Sequence, residues 1–280
     1  MRIPDLEGKV AIITGAAGGI GREIACLFDK VGINLVLTDI KVNSLHEMSE
    51  TFTNKPLIIP CDITKRDQVQ HLISHTLSHY HIIDILINTV GVIFPALFED
   101  AEYEDIEKQI RINLLGTINC TKEIIPVMKK ASKGNIVTIS SLAGIVPETY
   151  SSIYTATKFA LRGLNLTLNL ELNKFNIDLS TIFPDSVDTP MLHYEAEHGG
   201  SPLTFLNVPI KPEKVAKTVL RAILRHKPEI SIPSITGLVS KFIMCFPKGV
   251  IKIWPKLEKK GERKKQKFLN QMQSPQSGTQ

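Results

Sequence analysis

Tyr154 and Lys158 stand four residues apart, and Ser141 lies thirteen residues before the tyrosine. On a helix that spacing puts the phenol and the ammonium on one face. A phenol titrates near pH ~10 and is a poor proton donor or acceptor at neutral pH. A cation held beside it favours the phenolate, and a lowered pKa suits general acid–base work. The pair reads as a proton shuttle. The competing reading is a Tyr and a Lys on a solvated helix face.

A second group of residues could hold a nucleotide. Thr14-Gly-Ala-Ala-Gly-Gly-Ile-Gly21 joins an apolar run to a helical pattern. Gly15, Gly19 and Gly21, with Ile20 between the last two, let the backbone turn tightly, and the helix that follows offers free N–H groups and a positive dipole end to a pyrophosphate. A glycine loop can also be a plain turn; its place between strand and helix favours the nucleotide. Asp39 ends the next apolar run, where a carboxylate can accept both ribose hydroxyls and repel a 2′-phosphate. It could instead cap a helix. Neither Arg nor Lys stands inside the glycine loop, although Arg22 and Lys41 are close. The expected cofactor is therefore NAD rather than NADP. Asp62, with Ile63 beside it, could reach the adenine or cap the following helix.

These residues need a scaffold that brings them together. Val10–Thr14, Asn34–Asp39, Leu57–Pro60, Ile83–Asn88, Asn135–Ser140, Ile177–Phe183 and Glu229–Ile232 read as strands. Most are apolar throughout, as strands covered on both faces are. Amphipathic stretches lie between them, at Gly21–Val31, Arg66–Ser78, Tyr103–Lys129, Ile153–Lys174 and Pro212–His226. Strict alternation implies an α/β fold with a parallel sheet and right-handed crossovers. Residues 1–235 are expected to form one dinucleotide-binding catalytic domain. Residues 236–268 form an apolar and basic C-terminal extension, and 269–280 a disordered tail. The connection Pro184–Lys211 has little periodicity, and long structured loops are often functional.

Composition bounds the rest. The chain has 280 residues, 43% of them hydrophobic and 22% charged, as in soluble globular proteins. Neither a secretory signal nor a transmembrane helix is expected. The four cysteines are scattered and read as reduced thiols of a cytoplasmic protein. His71, His75 and His79 recur every four residues without an evident carboxylate or cysteine partner, and they read as a surface stripe; no metal is expected. The net charge of +5 resides in residues 256–267, and the body balances 26 basic against 26 acidic residues. Nothing in the body suggests nucleic acid as a partner.

Four motifs in this order resemble the short-chain dehydrogenase/reductase family over roughly residues 6–233: Thr14-Gly-x-x-x-Gly-x-Gly21, Asn88-x-x-Gly91, Asn113 with Ser141, and Tyr154-x-x-x-Lys158. The resemblance implies a Rossmann-type doubly wound sheet of about seven strands with helices on both faces, followed here by a C-terminal appendix. It implies hydride transfer between a CH–OH group and NAD(P). Tyr154 would exchange the proton, Lys158 would depress its pKa and hold the nicotinamide ribose, and Ser141 would steady the substrate oxygen. Asn113 would anchor a water, and Asn88 and Gly91 would brace the cofactor pocket. Val187 and Thr189 would face the carboxamide. Homodimers or homotetramers through the helices at 103–129 and 153–174 are also implied. Two departures stand out. Thr89 and Val90 replace an Asn-Ala pair, losing an amide that ties strands together. Asp185 replaces a glycine and adds charge at the substrate mouth.

The substrate side reads as apolar. Met191, Leu192, Tyr194, Leu203, Phe205, Leu206 and Val208 would form a lid alongside an acidic cluster at Glu195 and Glu197, with Leu142, Ile145, Val146 and Tyr150 flanking the pocket. A lipophilic alcohol or ketone fits better than a sugar or acid, unless these residues only pack the loop. An NADPH-preferring oxoacyl reductase and a non-catalytic cofactor-binding regulator are the alternatives. The extension is apolar with interspersed lysines, which suits either the plane of an anionic membrane or packing on the body. Pro247 and Pro255 are expected to break any long helix there.

Overall fold

Every residue of Val10–Thr14 is buried, and its side chains divide between two cores. Ala11 and Ile13 point into one, Val10 and Ile12 into the other. The same division holds for Leu35 and Leu37 against Val36, and for Ile85 and Ile87 against Leu86. Side chains alternate along a strand, so a continuously apolar strand must be covered on both faces. Fully burying one such Ile or Leu stabilises by roughly 1.5–3 kcal/mol.

The computed structural model describes Ile3 and residues 5–273. Its elements are β1 (Val10–Thr14), α1 (Gly19–Lys30), β2 (Asn34–Thr38), α2 (Val42–Ser49), β3 (Leu57–Ile58), α3 (Arg66–Tyr80), β4 (Ile85–Asn88), α4 (Tyr103–Gln109), α5 (Thr117–Ala131), β5 (Gly134–Ile139), α6 (Ser152–Leu172), β6 (Ile177–Pro184), α7 (Pro190–Glu197), α8 (Pro212–Arg225), β7 (Glu229–Ile232), α9 (Ser234–Ile243) and α10 (Pro247–Gln273). The strands form one sheet in the order β3-β2-β1-β4-β5-β6-β7. All neighbours are parallel. Helices α1 and α8 bury Ile24, Phe28, Val215, Val219 and Ile223 in one core. Helices α3 and α5 bury Val69, Leu72, Cys120, Ile124 and Met128 in the other. This is the parallel α/β sheet expected from the alternation, in the doubly wound form that the resemblance implies.

Strand order reverses between β1 and β4, and ligand crevices of such sheets open at that point, beyond the carboxyl ends of the strands. The loops after β1, β4, β5 and β6 therefore meet at one end of the sheet.

Three expectations need correction. The stretch 103–129 is not one uniform helix: α4 and α5 are joined by a π-helical segment, Ile110–Gly116. Pro255 does not break the extension, since α10 runs through it from Pro247 to Gln273. Pro255 and Ile251 are both exposed, so the carbonyl deprived of its i→i−4 partner lies on the solvent side. The tail expected to be disordered from 269 is helical to 273, because Leu269 and Met272 pack against Leu192, Ala196 and Phe205. Residues 274–280 lie outside the described residues. Among the described residues, no helix is long and apolar enough to cross a membrane.

Candidate active site

The glycine loop turns at Gly15, whose φ of 67° suits a residue without a Cβ. Gly21 has no room for a side chain, because a Cβ there would run into the Gly15 carbonyl and the Ala16 backbone. Helix α1 begins at Gly19, preceded by Gly18 with no side-chain cap. Its first N–H groups are left to the cleft, as an anion site requires. Asp39 follows β2; its Oδ2 accepts from Ala17 N at 3.2 Å and its Oδ1 from Lys41 N at 3.0 Å. The carboxylate is thus tied to the glycine loop, and Lys41, not Asp39, precedes α2 as its cap residue. Asp62 Oδ1 accepts from Thr64 N and Thr64 Oγ1, at 2.9 and 2.7 Å, and the residue before α3 is Lys65. One cleft of about 400 Å³ is lined by Gly15, Gly19, Ile20, Gly21, Asp39, Asp62, Ile63, Gly91 and Thr189.

Asn88, at the end of β4, donates from Nδ2 to Thr121 Oγ1 at 3.2 Å, and its buried Oδ1 has no partner in the protein. Thr89 repairs the tie that its replacement of an amide was expected to lose. Its hydroxyl donates to the Thr14 carbonyl at 2.6 Å and its N–H to Thr14 Oγ1 at 3.3 Å, joining β1 to β4.

Asn113 sits in the π-helical segment, where the widened turn re-aims a side chain. Its Oδ1 accepts from Val92 N at 2.8 Å and its Nδ2 donates to Val92 O at 2.9 Å. A Cβ added to Gly91 would lie 3.4 Å from Lys158 Nζ and 3.6 Å from Asn113 Oδ1, so these three positions converge. Lys158 donates to the Ile139 carbonyl at 3.2 Å, and its Nζ lies 5.3 Å from the centre of the Tyr154 ring. Burial lowers the Lys158 pKa to about 8. Ser141 follows β5; its Oγ accepts from Ala143 N at 3.1 Å, and it lines the same chamber as Tyr154. Burial drives the Tyr154 pKa upward, Glu148 and Glu195 add to the rise, and the Ser141 side chain opposes it.

Tyr154 and Ser141 face a chamber of about 90 Å³. Its apolar wall comes from Ile20, Leu142, Pro184, Met191 and Leu192. Part of the wall is acidic, which corrects the apolar expectation: Glu148, Asp185 and Glu195 all line it. Burial pushes Glu148 up to about 8, helped by Glu195 and Asp185. Burial also pushes Glu195 to about 7, against Thr204, which donates to its Oε1 at 2.7 Å, and the charge of Lys265. Asp185 is raised by burial and restrained by Asn207 and Ser186 N. Asp185 and the acidity of the 195–197 stretch were visible in the sequence. Glu148 was missed; its signal was a carboxylate in the short loop between Ser141 and Tyr154.

Other candidates fall elsewhere. Ile145 packs in a core with Leu142 and Phe183 and lies behind the wall. Val146 packs beside it, Tyr150 is exposed beside a separate groove, and Val208 faces solvent. Val187 and Thr189 both line the chamber, and Thr189 also borders the glycine-loop cleft. The largest omission was α10. Lys265 donates to Gly200 O at 2.8 Å, Lys264 donates to Leu206 O, and Phe268 lies against Phe205. The lid is thus held down by the C-terminal helix.

Comparison with known proteins agrees with this fold. Residues 9–199 match the family model for short chain dehydrogenase. The chain is 33% identical over 222 residues to the 3-oxoacyl-[acyl-carrier-protein] reductase FabG of Thermotoga maritima, covering 77% of this chain and 90% of that one. It resembles a 3-ketoacyl-(acyl-carrier-protein) reductase of Brucella melitensis solved with NADH, with a TM-score of 0.71 and 25% identity over 77% of this chain and 91% of that one. A short-chain dehydrogenase from Streptomyces avermitilis shares the fold, with a TM-score of 0.76 and 22% identity over 89% of this chain and 97% of that one.

Proposed function

Because the chain belongs to the short-chain dehydrogenase family, and is thereby an oxidoreductase of CH–OH groups that works with NAD(P), we propose that it interconverts an apolar secondary alcohol and its ketone with Tyr154 as general acid and base. The observation that carries this reading is that Ser141 and Tyr154 line one chamber, which shares Ile20, Thr189 and Met191 with the glycine-loop cleft.

The residues of the cleft fit a dinucleotide. The uncapped start of α1 would take the pyrophosphate, Asp39 the ribose diol, and the space beside Gly91 and Lys158 the nicotinamide ribose. When bound, that cofactor supplies or accepts the hydride. Ser141 Oγ accepts from Ala143 N, and its O–H would donate to the substrate oxygen. Tyr154 takes the alcohol proton as phenolate, or gives it to the carbonyl oxygen as phenol. Lys158, with its Nζ 5.3 Å from the centre of the Tyr154 ring, would favour the phenolate by its charge against the upward push of burial, and Asn113 fixes the backbone at Val92 through two bonds.

Asp39 supports NAD over NADP, and the Brucella relative solved with NADH is consistent with that preference. A second reading is NADPH-dependent reduction of an oxoacyl chain, and the Thermotoga relative's name supports the oxoacyl part of it. At neutral pH Glu148 keeps its proton and serves as an uncharged wall, whereas a carboxylate or phosphate close to the reacting carbon would meet Asp185 and Glu195. We place the enzyme in the cytoplasm as a homodimer or homotetramer; exposed Leu115, Leu166 and Leu170 on and beside α5 and α6 support that assembly. A panel of apolar secondary alcohols and ketones assayed with both cofactors tests the reading. NAD-linked turnover is expected; a clear preference for NADP with oxoacyl thioesters selects the second reading instead.

A further inference from the structure

Among the described residues, helix α9 is anchored along one side. A Cβ at Gly237 would strike Ser231, Ser240 is buried, and Lys241 binds Glu229 of β7 at 2.5 Å, where Arg162 also binds at 2.6 Å. The opposite side carries Ile235, Leu238, Val239 and Phe242, the spacing of one helical stripe. Ile235 is 77% exposed, Leu238 71% and Phe242 67%. Phe246, whose ring meets Phe242 edge-on, carries the stripe into the start of α10, where Ile251 is 73% exposed. Single exposed apolar residues are ordinary on a protein surface; a continuous stripe of this kind marks an interaction site.

The charge around the stripe identifies the occupant. Between Ser234 and Leu257 the chain has four lysines and no acidic residue. Lys248, Lys252 and Lys256 follow at i, i+4 and i+8 on α10, all exposed, and Lys259 and Arg263 extend the row. Lysine stems lie along apolar surface while their ammonium groups reach outward to anions. An apolar face bordered by cations and free of carboxylates matches the plane of an anionic bilayer, with aromatic and aliphatic side chains among the acyl chains and lysines at the phosphates. A second copy of this chain would set one lysine row against another unless its acidic surface were turned to it.

We propose that the outer face of α9 with the first turns of α10 docks the protein on an anionic lipid surface as a peripheral protein. This surface is independent of the chemistry at Tyr154, and neither reading requires the other. Its consequence follows from α10: the helix that meets the lipid at its start grips the lid at its end, through Lys265 and Phe268.

The test is cosedimentation of the full chain with phosphatidylcholine vesicles, with and without a quarter of phosphatidylserine. The intact protein is expected in the pellet with the serine lipid and largely in the supernatant without it. Salt should release much of it, because the Debye length shortens from about 10 Å at 0.1 M to about 3 Å at 1 M. Lys252→Glu with Lys256→Glu should weaken binding at least about tenfold, at the scale of one surface lysine being worth about 1 kcal/mol. Leu238→Glu with Phe242→Glu should abolish it while cofactor binding, read by fluorescence, persists. A solvent-sensitive dye on exposed Cys245 should shift to the blue on serine-containing vesicles, which reads the same face without any substitution. Intact protein that stays in the supernatant with an unshifted dye overturns the proposal. So does a Leu238→Glu, Phe242→Glu variant that turns an oligomer into a monomer and leaves vesicle behaviour unchanged, because the face then belongs to a second copy.

Discussion

The buried ammonium of Lys265 donates to the carbonyl oxygen of Gly200 at 2.8 Å, across 65 residues of sequence. That bond fixes the C-terminal helix to the connection that closes over Tyr154. Its charge also restrains the carboxyl of Glu195 in the chamber wall. Lys265→Met should leave the Gly200 carbonyl without this partner and loosen the lid, at a cost of about 1–3 kcal/mol. The expected outcome is a several-fold rise in KM with a smaller change in kcat, and faster amide exchange over residues 191–206. Unchanged exchange there would show that α10 does not hold the lid.

Gly261 decides between helix propensity and steric fit. Alanine favours a helix interior by up to about 1 kcal/mol over glycine. A Cβ at 261, however, would run into the backbone of Pro202. Backbone does not yield as a flexible side chain does, and overpacking costs about 1–3 kcal/mol. Gly261→Ala is therefore expected to lower the melting temperature. A higher melting temperature would place α10 further from the lid than this structure has it.

Tyr154→Phe should reduce turnover at least ~10²-fold while NAD binding persists, the scale of a lost general acid–base group. Lys158→Met should weaken cofactor binding as well, since Lys158 stands beside both Tyr154 and the Gly91 space. Stopped turnover with intact NAD fluorescence is the signature for Tyr154. Near-normal turnover removes it from the mechanism.

Asp39→Ser should shift the ratio of kcat/KM values toward NADP, because the carboxylate that repels a 2′-phosphate is gone. Adding an Arg nearby should extend the shift. The measurement is the cofactor ratio with one fixed substrate. A native enzyme that already prefers NADP contradicts the role given to Asp39.

Glu148→Gln makes a signed prediction about pH. The Glu148 charge raises the Tyr154 pKa, and Glu148 itself ionises only near pH 8. Removing the charge eases formation of the phenolate, so the acid limb of the kcat/KM profile for alcohol oxidation should move to lower pH. The difference from the native profile should be largest above about pH 8, where native Glu148 is charged. Stability follows the same acid. Its folded pKa lies above the ordinary 4.5, so its contribution is full below 4.5 and is lost as pH rises through about 8. Thermal unfolding across that window should be flatter in Glu148→Gln; parallel curves would show that Glu148 titrates normally.

The sequence by itself determined the sheet and the order of its ligand loops. Apolar strands such as Ile12–Ile13 and Ile85–Ile87 alternate with amphipathic helices, and that local periodicity suffices to specify a two-faced parallel sheet. It also placed Gly15, Asp39, Ser141, Tyr154 and Lys158 correctly on loop, strand end and helix, since each role depends on a short spacing. Tertiary structure alone decided what surrounds them. Glu148, Asp185 and Glu195 come from three separate segments and meet in one wall, which no spacing reports. The π-helical segment at Asn113 and the Thr89–Thr14 bonds are adjustments to packing, not patterns. In the sequence the extension read as apolar and basic, broken at Pro247 and Pro255 and disordered from 269, not as one helix. It is ordered because Phe268, Leu269 and Met272 find the lid, and because Glu258 accepts from Thr149 at 2.6 Å from 109 residues away. Such contacts join residues that are distant in sequence, and their energy exists only once the chain has brought them together.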